Sequence, residues 1–534
     1  MGVGRDLAAV AAGAALLYTL ALGARDLWHP NEPTYAEAVA EMAQRGEWLI
    51  PTVNGTPFAE KPILYYWLAL AACRALGRVD ELGLRLPSAA AGVAAVILLY
   101  LLVHAHAGRH RARAAAVLFG TTYIVFWSAR SIQMDLLLAT CTLGAVFSAV
   151  STLDGALAPG RGWAAAGAAA GLGCLAKGPV GLLCPLLVVV LDAAIAGRLR
   201  RLARWQLVWG GVAFAAVVAP WYGALLVRGE TGFLTELLFR QNVRRFFEPW
   251  DHTAPWWYFA EAFALDMLPW APFVPLAWGL APRDDGERRL NRLAWVWLVG
   301  IVVFFSLSAS KRSPYILPAA PAAAILASAV YERWADGRLD RRRRALALAL
   351  VLALGLVLLV GAAVAAAMLD RRLSSPPELR RAGVIGATLL AAGGLAIVAG
   401  ASIPWRRRLA AGLALLGFTL ASYVVAAALV LPPLDAIKSH RPFCEAIRRE
   451  VPAAAPLHGY RLWRWRAAYS FYSGRRVRSL ESAAELTRYW SRPERVFLVV
   501  ERGMLDEVRA SVDPGRPLAV HAAGHNQAYL FANR

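Results

Sequence analysis

Apolar runs of roughly 16–25 residues, the length that suits a bilayer core, recur along this chain and alternate with short polar links. About thirteen can be read, centred near residues 16, 95, 119, 142, 168, 186, 216, 272, 301, 322, 357, 392 and 419; the run near 168 is short and rich in Ala and Gly. The pattern breaks twice. Residues 28–84 are rich in charge, and within them YAEAVAEMAQRG has helical spacing, with Tyr35, Val39 and Met42 on one face and Glu37 and Glu41 opposite. ILYYWLALAACRALG reads as a second helix that ends before a full crossing, and both are predicted to lie along the membrane surface. From about residue 434 membrane character is lost. RVFLVVE, LAVHAAG and AYLFANR predict strands, and SAAELTRYWSR and RGMLDEVRASV predict amphipathic helices. The fold class predicted is a polytopic α-helical membrane protein of about thirteen transmembrane helices over 1–433, followed by a small α/β domain at 434–534.

Composition agrees: 58% of residues are hydrophobic and mean hydropathy is +0.46, values of an integral membrane protein. Basic residues orient it. Alternate links carry Arg109, Arg111 and Arg113; Arg161; Arg198, Arg200, Arg201 and Arg204; Arg283, Arg288, Arg289 and Arg292; Arg333, Arg338 and Arg341 to Arg344; and Arg406 to Arg408. The positive-inside rule makes these links cytoplasmic. It places the loops 28–84 and 228–262 and the C-terminal region on the other side of the cytoplasmic (inner) membrane. The first apolar run has no small-residue cleavage site and reads as a retained anchor. The net charge of +21 is then mainly topology and contact with anionic lipid; arginines dispersed among short loops do not form a nucleic-acid patch. Five cysteines without CxxC or paired spacing exclude a disulfide framework or a cysteine zinc site.

Of 57 basic residues only four are lysines, and three of them sit in short polar links: Lys61 in AEKP, Lys177 in LAKGP and Lys311 in ASKRSPY. A chain that favours Arg keeps Lys mainly where a compact ammonium fits and a planar guanidinium does not. Other polar residues fall on the same side as these links. They are Asn31, Glu32, Tyr35 and Glu60 in the first loop, Asp135 at the mouth of the fourth span, and Tyr315. The loop FRQNVRRFFEPWDHTAPWWYF adds Arg240, Arg244, Arg245, Asp251 and His252. An acid at the mouth of a span is a functional candidate by default; a pairing with Arg130 is its structural alternative. Cations beneath aromatic side chains suit a lipid phosphate. Glu60 and His252 could share a divalent metal ion, zinc or magnesium, that also touches the phosphate. There is no GxGxxG after a strand, no Walker loop, no HExxH and no GxSxG.

These residues resemble the GT-C membrane glycosyltransferases that use polyprenyl-phosphate sugars, most closely the 4-amino-4-deoxy-L-arabinose transferases of lipid A, which are related to protein O-mannosyltransferases. The resemblance rests on the first-loop pattern in residues 28–67: an acidic pair, a Tyr three residues later, W-L-x-P-x-x-N-G and E-K-P-x-x-Y-Y-W. LAKGP, SKRSPYILP and F-R-Q-N-x-x-R-F…H…PWWY add to it. It implies an inverting transferase that takes a sugar from undecaprenyl phosphate, with a lipid A phosphate as acceptor. It also implies that Glu60 and His252 bind a metal, that Lys61 holds the lipid phosphate with help from Tyr315 and loop arginines, and that Asp135 orients the reacting groups. The family's acidic pair begins with Asp, and here that position is Asn31, which cannot accept a proton at neutral pH. Either Glu32 or Asp135 takes over, or the acceptor is an ionised phosphate that needs little base. Two alternatives stand beside this reading: a protein O-glycosyltransferase, and a lipid-linked sugar transporter or non-catalytic binding subunit. A transporter predicts inverted repeats and midplane charges, and neither is visible.

Overall fold

A computed structural model describes residues 2–202, 205–248, 252–371, 376–402, 409–462, 466–524 and 526–534. Arg204, Asp251 and Arg406 to Arg408 lie outside the described residues. The described chain forms two compact units: residues 1–22, 59–65 and 85–428, and residues 23–58, 66–84 and 429–534.

The first unit is helical. Helix α1 spans Gly2–Thr19. Farther along, helix α4 runs Glu81–Gly120 but carries a non-helical Gly108, φ 79° and ψ 178°. The chain doubles back there: a Cβ on Gly120 would lie 3.3 Å from Val96, 24 residues earlier, whereas an unbroken helix would separate them by about 36 Å. The runs predicted near 95 and 119 are therefore two arms of one hairpin, turned at a residue that tolerates positive φ. Helices α5 (Tyr123–Ala129), α6 (Met134–Leu153), α7 (Pro159–Lys177) and α8 (Val180–Ile195) follow. The longer helices beyond them are Val208–Val227, Asp285–Ser306, Ala320–Ala335, Arg341–Arg371, Pro377–Ser402 and Leu409–Val425. Among the described residues eight helical stretches are long and apolar enough to cross a membrane.

Two expectations change. The run near 272 is not one helix. Tyr258–Asp266 ends, and two 3₁₀ turns, Ala271–Phe273 and Pro275–Ala277, replace its continuation, because Pro269, Pro272 and Pro275 remove donors and block the helical path. Arg111, counted above as a link charge, is fully buried. Its guanidinium donates to Glu287 at 2.8 Å and to Asn291 at 2.5 Å, and Arg333 meets the same Glu287 at 2.8 Å. A charge this deep is tolerable only when paired, so part of the basic excess holds the bundle together.

Burial sorts the spans. The apolar windows of α6 and of Ser313–Ala335 are 78% and 83% buried, against 22%, 22% and 17% for the last three candidate spans. The first two form the protein core, while the last three present apolar surface outward, as helices facing lipid do. The Ala/Gly-rich α7 packs tightly: a Cβ on Gly167 would sit 1.9 Å from the carbonyl of Gly210. Its low hydrophobicity is therefore a close-approach surface.

The second unit holds helix α2 (Glu32–Arg45), a two-residue hairpin β1 (Thr52–Val53) and β2 (Thr56–Pro57), most of helix α3 (Leu64–Ala75), and a five-stranded sheet. Twelve residues make α3 about 18 Å long, too short for a span. The sheet comprises β3 (Leu457–Tyr460), β4 (Arg478–Leu480), β5 (Phe497–Glu501), β6 (Ala519–Ala523) and β7 (Asn526–Ala532), in the order β4-β3-β5-β7-β6. The first two neighbour pairs are parallel and the last two antiparallel. Central β5 is buried from Phe497 to Val500, as its unbroken apolar run requires. Helices Ala483–Trp490 and Leu505–Ser511 supply Leu486 and Val508 to the core around Leu498, Val500 and Phe531. On α2 the predicted acidic face is not a water face. Helix Arg466–Ser473 packs on α2, and Glu37 and Glu41 are only 6% and 5% exposed.

Candidate functional site

In the first unit four chain segments bring charge to Lys61. Ile63 and Tyr65, both fully buried, anchor the segment that carries it, and the Tyr65 hydroxyl shares a 2.8 Å hydrogen bond with Ser88. The Lys61 ammonium donates to the Glu60 carbonyl at 3.1 Å. The side chain keeps some accessible surface but is densely surrounded by protein. That burial pushes its pKa down to about 8; Lys177 and Arg245 act in the same direction, and Glu60 and Asp135 oppose them.

Asp135 stands in the first turn of α6, where a carboxylate suits the helix dipole, and Lys177 in the last turn of α7, where a cation does. The two form an ion pair with side chains 14% and 11% exposed. The partner of Asp135 is thus Lys177; Arg130 donates instead to the carbonyls of Leu17, Tyr18 and Ala21. The Lys177 ammonium also lies 4.4 Å from the centre of the Tyr315 ring, within cation–π range, and that ring leans on Phe305. Gly178 follows with φ 87°, and a Cβ there would press on Asn242 at 2.8 Å. Asn242 belongs to the π-helical stretch Glu236–Arg244, immediately before Arg245, so LAKGP and FRQN meet in space. Among the described residues, three cations, Lys61, Lys177 and Arg245, and two carboxylates, Glu60 and Asp135, gather beside the Tyr315 ring.

His252 and Lys311 are joined through their backbones. The Lys311 N–H donates to the His252 carbonyl at 2.9 Å, and Thr253 bridges Ser310. Lys311 is 6% exposed, its ammonium donates to the Ser308 carbonyl at 2.5 Å, and burial lowers its pKa. The His252 ring is exposed, on a backbone at φ 55°. Among the described residues no group of three or more His, Cys, Asp or Glu side chains could hold a metal ion. Glu60 and His252 would give an ion one oxygen and one nitrogen ligand, with phosphate and water needed for the rest.

The remaining first-loop candidates belong to the second unit. Asn31 caps α2 through its backbone carbonyl, which accepts from Thr34 and Tyr35 at 3.2 Å. The Glu32 carboxylate is gripped by both terminal nitrogens of Arg25, at 2.6 and 3.1 Å, and by the Trp28 N–H at 3.1 Å. Tyr35 is buried against Phe58 and Tyr66. Sequence reasoning missed Arg25 and Asn242. Nothing in a periodicity marks Arg25, whereas Asn242 stood within a motif already noted.

The dolichyl-phosphate-mannose-protein mannosyltransferase family matches residues 60–223. The chain is 30% identical over 373 residues to an undecaprenyl phosphate-alpha-4-amino-4-deoxy-L-arabinose arabinosyl transferase of Pectobacterium carotovorum, covering 68% of this chain and 66% of that one. A Pseudomonas fluorescens protein of the same description is 31% identical over 332 residues, covering 61% and 58%. The chain thus spans just under two thirds, or less, of the length of these relatives. Among solved structures, ArnT from Cupriavidus metallidurans bound to undecaprenyl phosphate superposes with a TM-score of 0.79 at 19% identity, over 100% of this chain and 99% of that one. An oligosaccharyltransferase from Archaeoglobus fulgidus gives 0.51 at 13% identity, over 93% and 70%. These structural likenesses concern the fold, and the sequence matches add kinship to it. In sequence over about two thirds of its length, and in fold throughout, the chain is similar to the ArnT-like GT-C membrane glycosyltransferases.

Proposed function

We propose that this protein transfers 4-amino-4-deoxy-L-arabinose from undecaprenyl phosphate to a phosphate of lipid A, on the outer face of the inner membrane. The observation that carries the reading is the cluster of Lys61, Lys177 and Arg245 beside Tyr315. In the reaction an acceptor phosphate oxygen forms a bond to the anomeric carbon while the bond from that carbon to the donor phosphate breaks. The departing lipid phosphate gains negative charge, and fixed cations stabilise it. An ionised acceptor needs no base. That suits Asn31 in the family's Asp position, and it suits Glu32 and Asp135, which already hold Arg25 and Lys177. The fold supports thirteen crossings in this reading: the eight long helices with α4 counted as two arms, together with α1, α7, α8 and the broken segment 258–277.

Mass spectrometry of lipid A from cells with and without the protein tests the proposal. An aminoarabinose-bearing species should appear only with it. Unaltered lipid A beside newly glycosylated periplasmic proteins would replace this reading with protein O-glycosylation, the alternative that the match over residues 60–223 favours.

A divalent ion enters this reading only as a companion of the phosphate, held by Glu60 and His252, where it would offset phosphate charge. Glu60→Ala and His252→Ala should each lower the metal content of the purified protein, and the double variant should lose little more than either. Unchanged content in both single variants retires the ion.

A further inference from the structure

The second unit contains a cavity of about 520 Å³, within the size range of small-molecule sites, whose lining includes none of the residues assigned above. One wall is α2; the others come from residues 79–81 and from the segments 441–448 and 470–476. Five arginines and five acids line it, and their engagements differ. Arg441 is committed to Asp26 and Glu81. Arg475 is spread over the carbonyls of Val451, Pro452, Ala453 and Ala455. Arg448, by contrast, uses only its Nε among the described residues, toward the Ser473 carbonyl at 3.3 Å. Arg476 makes no hydrogen bond or close ion pair among the described residues, and its charge acts on Glu37 across the cavity. Its position is nonetheless fixed, because the side chain of Asn54 both donates to the Val477 carbonyl at 3.0 Å and accepts from the Val477 N–H at 3.2 Å.

On the α2 wall, Glu37 and Glu41 lie four residues apart, one turn along the same face. Burial beside Glu41 pushes Glu37 up to about 8, against the pull of Arg476. The pair therefore holds a proton near neutral pH, and the cavity, otherwise balanced between five cations and five anions, carries a net positive charge. Ser470 adds a second mark of a binding site: it lines the cavity, is 2% exposed, and its hydroxyl has no partner among the described residues. An orphaned buried hydroxyl costs stability unless a guest satisfies it.

Glu41 already accepts from Thr52 and Gly55, Glu81 from Arg441 and Tyr472, and Asp80 from Gly83, so a bare phosphate would use the guanidinium groups and leave Ser470, Glu37 and Glu445 idle. A neutral sugar would use those acceptors and leave the terminal nitrogens of Arg448 and Arg476 without a hydrogen-bond partner among the described residues. We propose that this cavity binds a phosphorylated saccharide, its phosphate held by Arg448 and Arg476 and its hydroxyls by Ser470, Glu37 and Glu445. The site goes beyond the transfer reading and does not depend on it. The saccharide could be soluble or be the head of a membrane-borne glycolipid, and the chemistry of recognition is the same.

The test uses the detergent-solubilised full chain carrying Lys61→Ala, so that the cation cluster of the first unit does not report. Calorimetric titration with glucose 1-phosphate should show saturable binding, weaker for glucose and for inorganic phosphate. Arg448→Ala and Arg476→Ala should each weaken it about ten- to a hundredfold, the fold-change of one lost charge-assisted hydrogen bond, with unchanged thermal unfolding. Arg476→Lys should restore part of it. Retention on vesicles containing lipid A, lost in Arg476→Ala, would assign the saccharide to a membrane source; binding of the soluble sugar phosphate alone would assign it to a free one. Absence of saturable binding by both probes, equal binding of glucose, or titrations that the arginine variants leave unchanged would overturn the proposal.

Discussion

Lys61→Ala should abolish sugar transfer, by about 10²–10³-fold or more in kcat, the usual cost of removing one preorganised charge from a site where negative charge develops. The protein should still fold and insert, because among the described residues the Lys61 ammonium makes a single hydrogen bond, to its neighbour's carbonyl. Lys61→Arg should rescue poorly, since a guanidinium is larger and prefers two-point contacts. A pH profile separates a direct role from mere support of the fold. Burial, with Lys177 and Arg245 nearby, brings the ammonium down to about 8 in the free enzyme. As pH rises through that value Lys61 loses its charge, so kcat/KM for the lipid-phosphate donor should fall along a limb centred near 8. Below it the cation is fully present. Lys61→Arg should lack the limb, because guanidinium stays charged. Full transfer in the alanine variant would remove Lys61 from the site.

Legibility in the sequence followed the length scale of the interaction. Apolar runs of membrane length marked most of the long helices, and RVFLVVE marked the central strand, because each signal is complete within a few turns or pleats. β3 and β4 escaped. LHGY and RSL are short, and their place is set by parallel pairing with β5 and with each other, which no local pattern records. Pro269, Pro272 and Pro275 were visible in the sequence, but the apolar run around them outweighed their effect on the helix. The site shows the same division. A rare lysine in an Arg-rich chain was a compositional signal, and Lys61 and Lys177 are found acting on each other. The bond between Lys177 and Asp135 joins residues 42 apart, and the grip of Arg25 on Glu32 has no periodicity. Both are consequences of packing. The burial of Glu37 and Glu41 was not legible for the same reason: a helix drawn alone has a polar face, and here a helix more than 400 residues later covers it.

The ion pair of Asp135 and Lys177 can be divided into what it does for the fold and what it does for transfer. Lys177→Met should be strongly destabilising, by about 3–5 kcal/mol, because it strands a nearly buried carboxylate. The α6 N-terminus returns only about 0.3–1 kcal/mol of that. Asp135→Asn should cost less, since Lys177 keeps the Tyr315 ring, a contact of about 0.5–2 kcal/mol, and stays at the C-terminal end of α7. The double variant Asp135→Asn, Lys177→Met removes both charges and should recover most of the thermal stability, so the effects on unfolding will be far from additive. Transfer should not recover with it. In the proposed transfer Lys177 is one of three cations that would face the donor phosphate, and its loss should leave the double variant about tenfold or more below the parent in kcat. Donor binding should weaken in parallel. A double variant that is both stable and fully active would show the pair to be a strut between α6 and α7, and would leave Lys61 and Arg245 as the phosphate's cations.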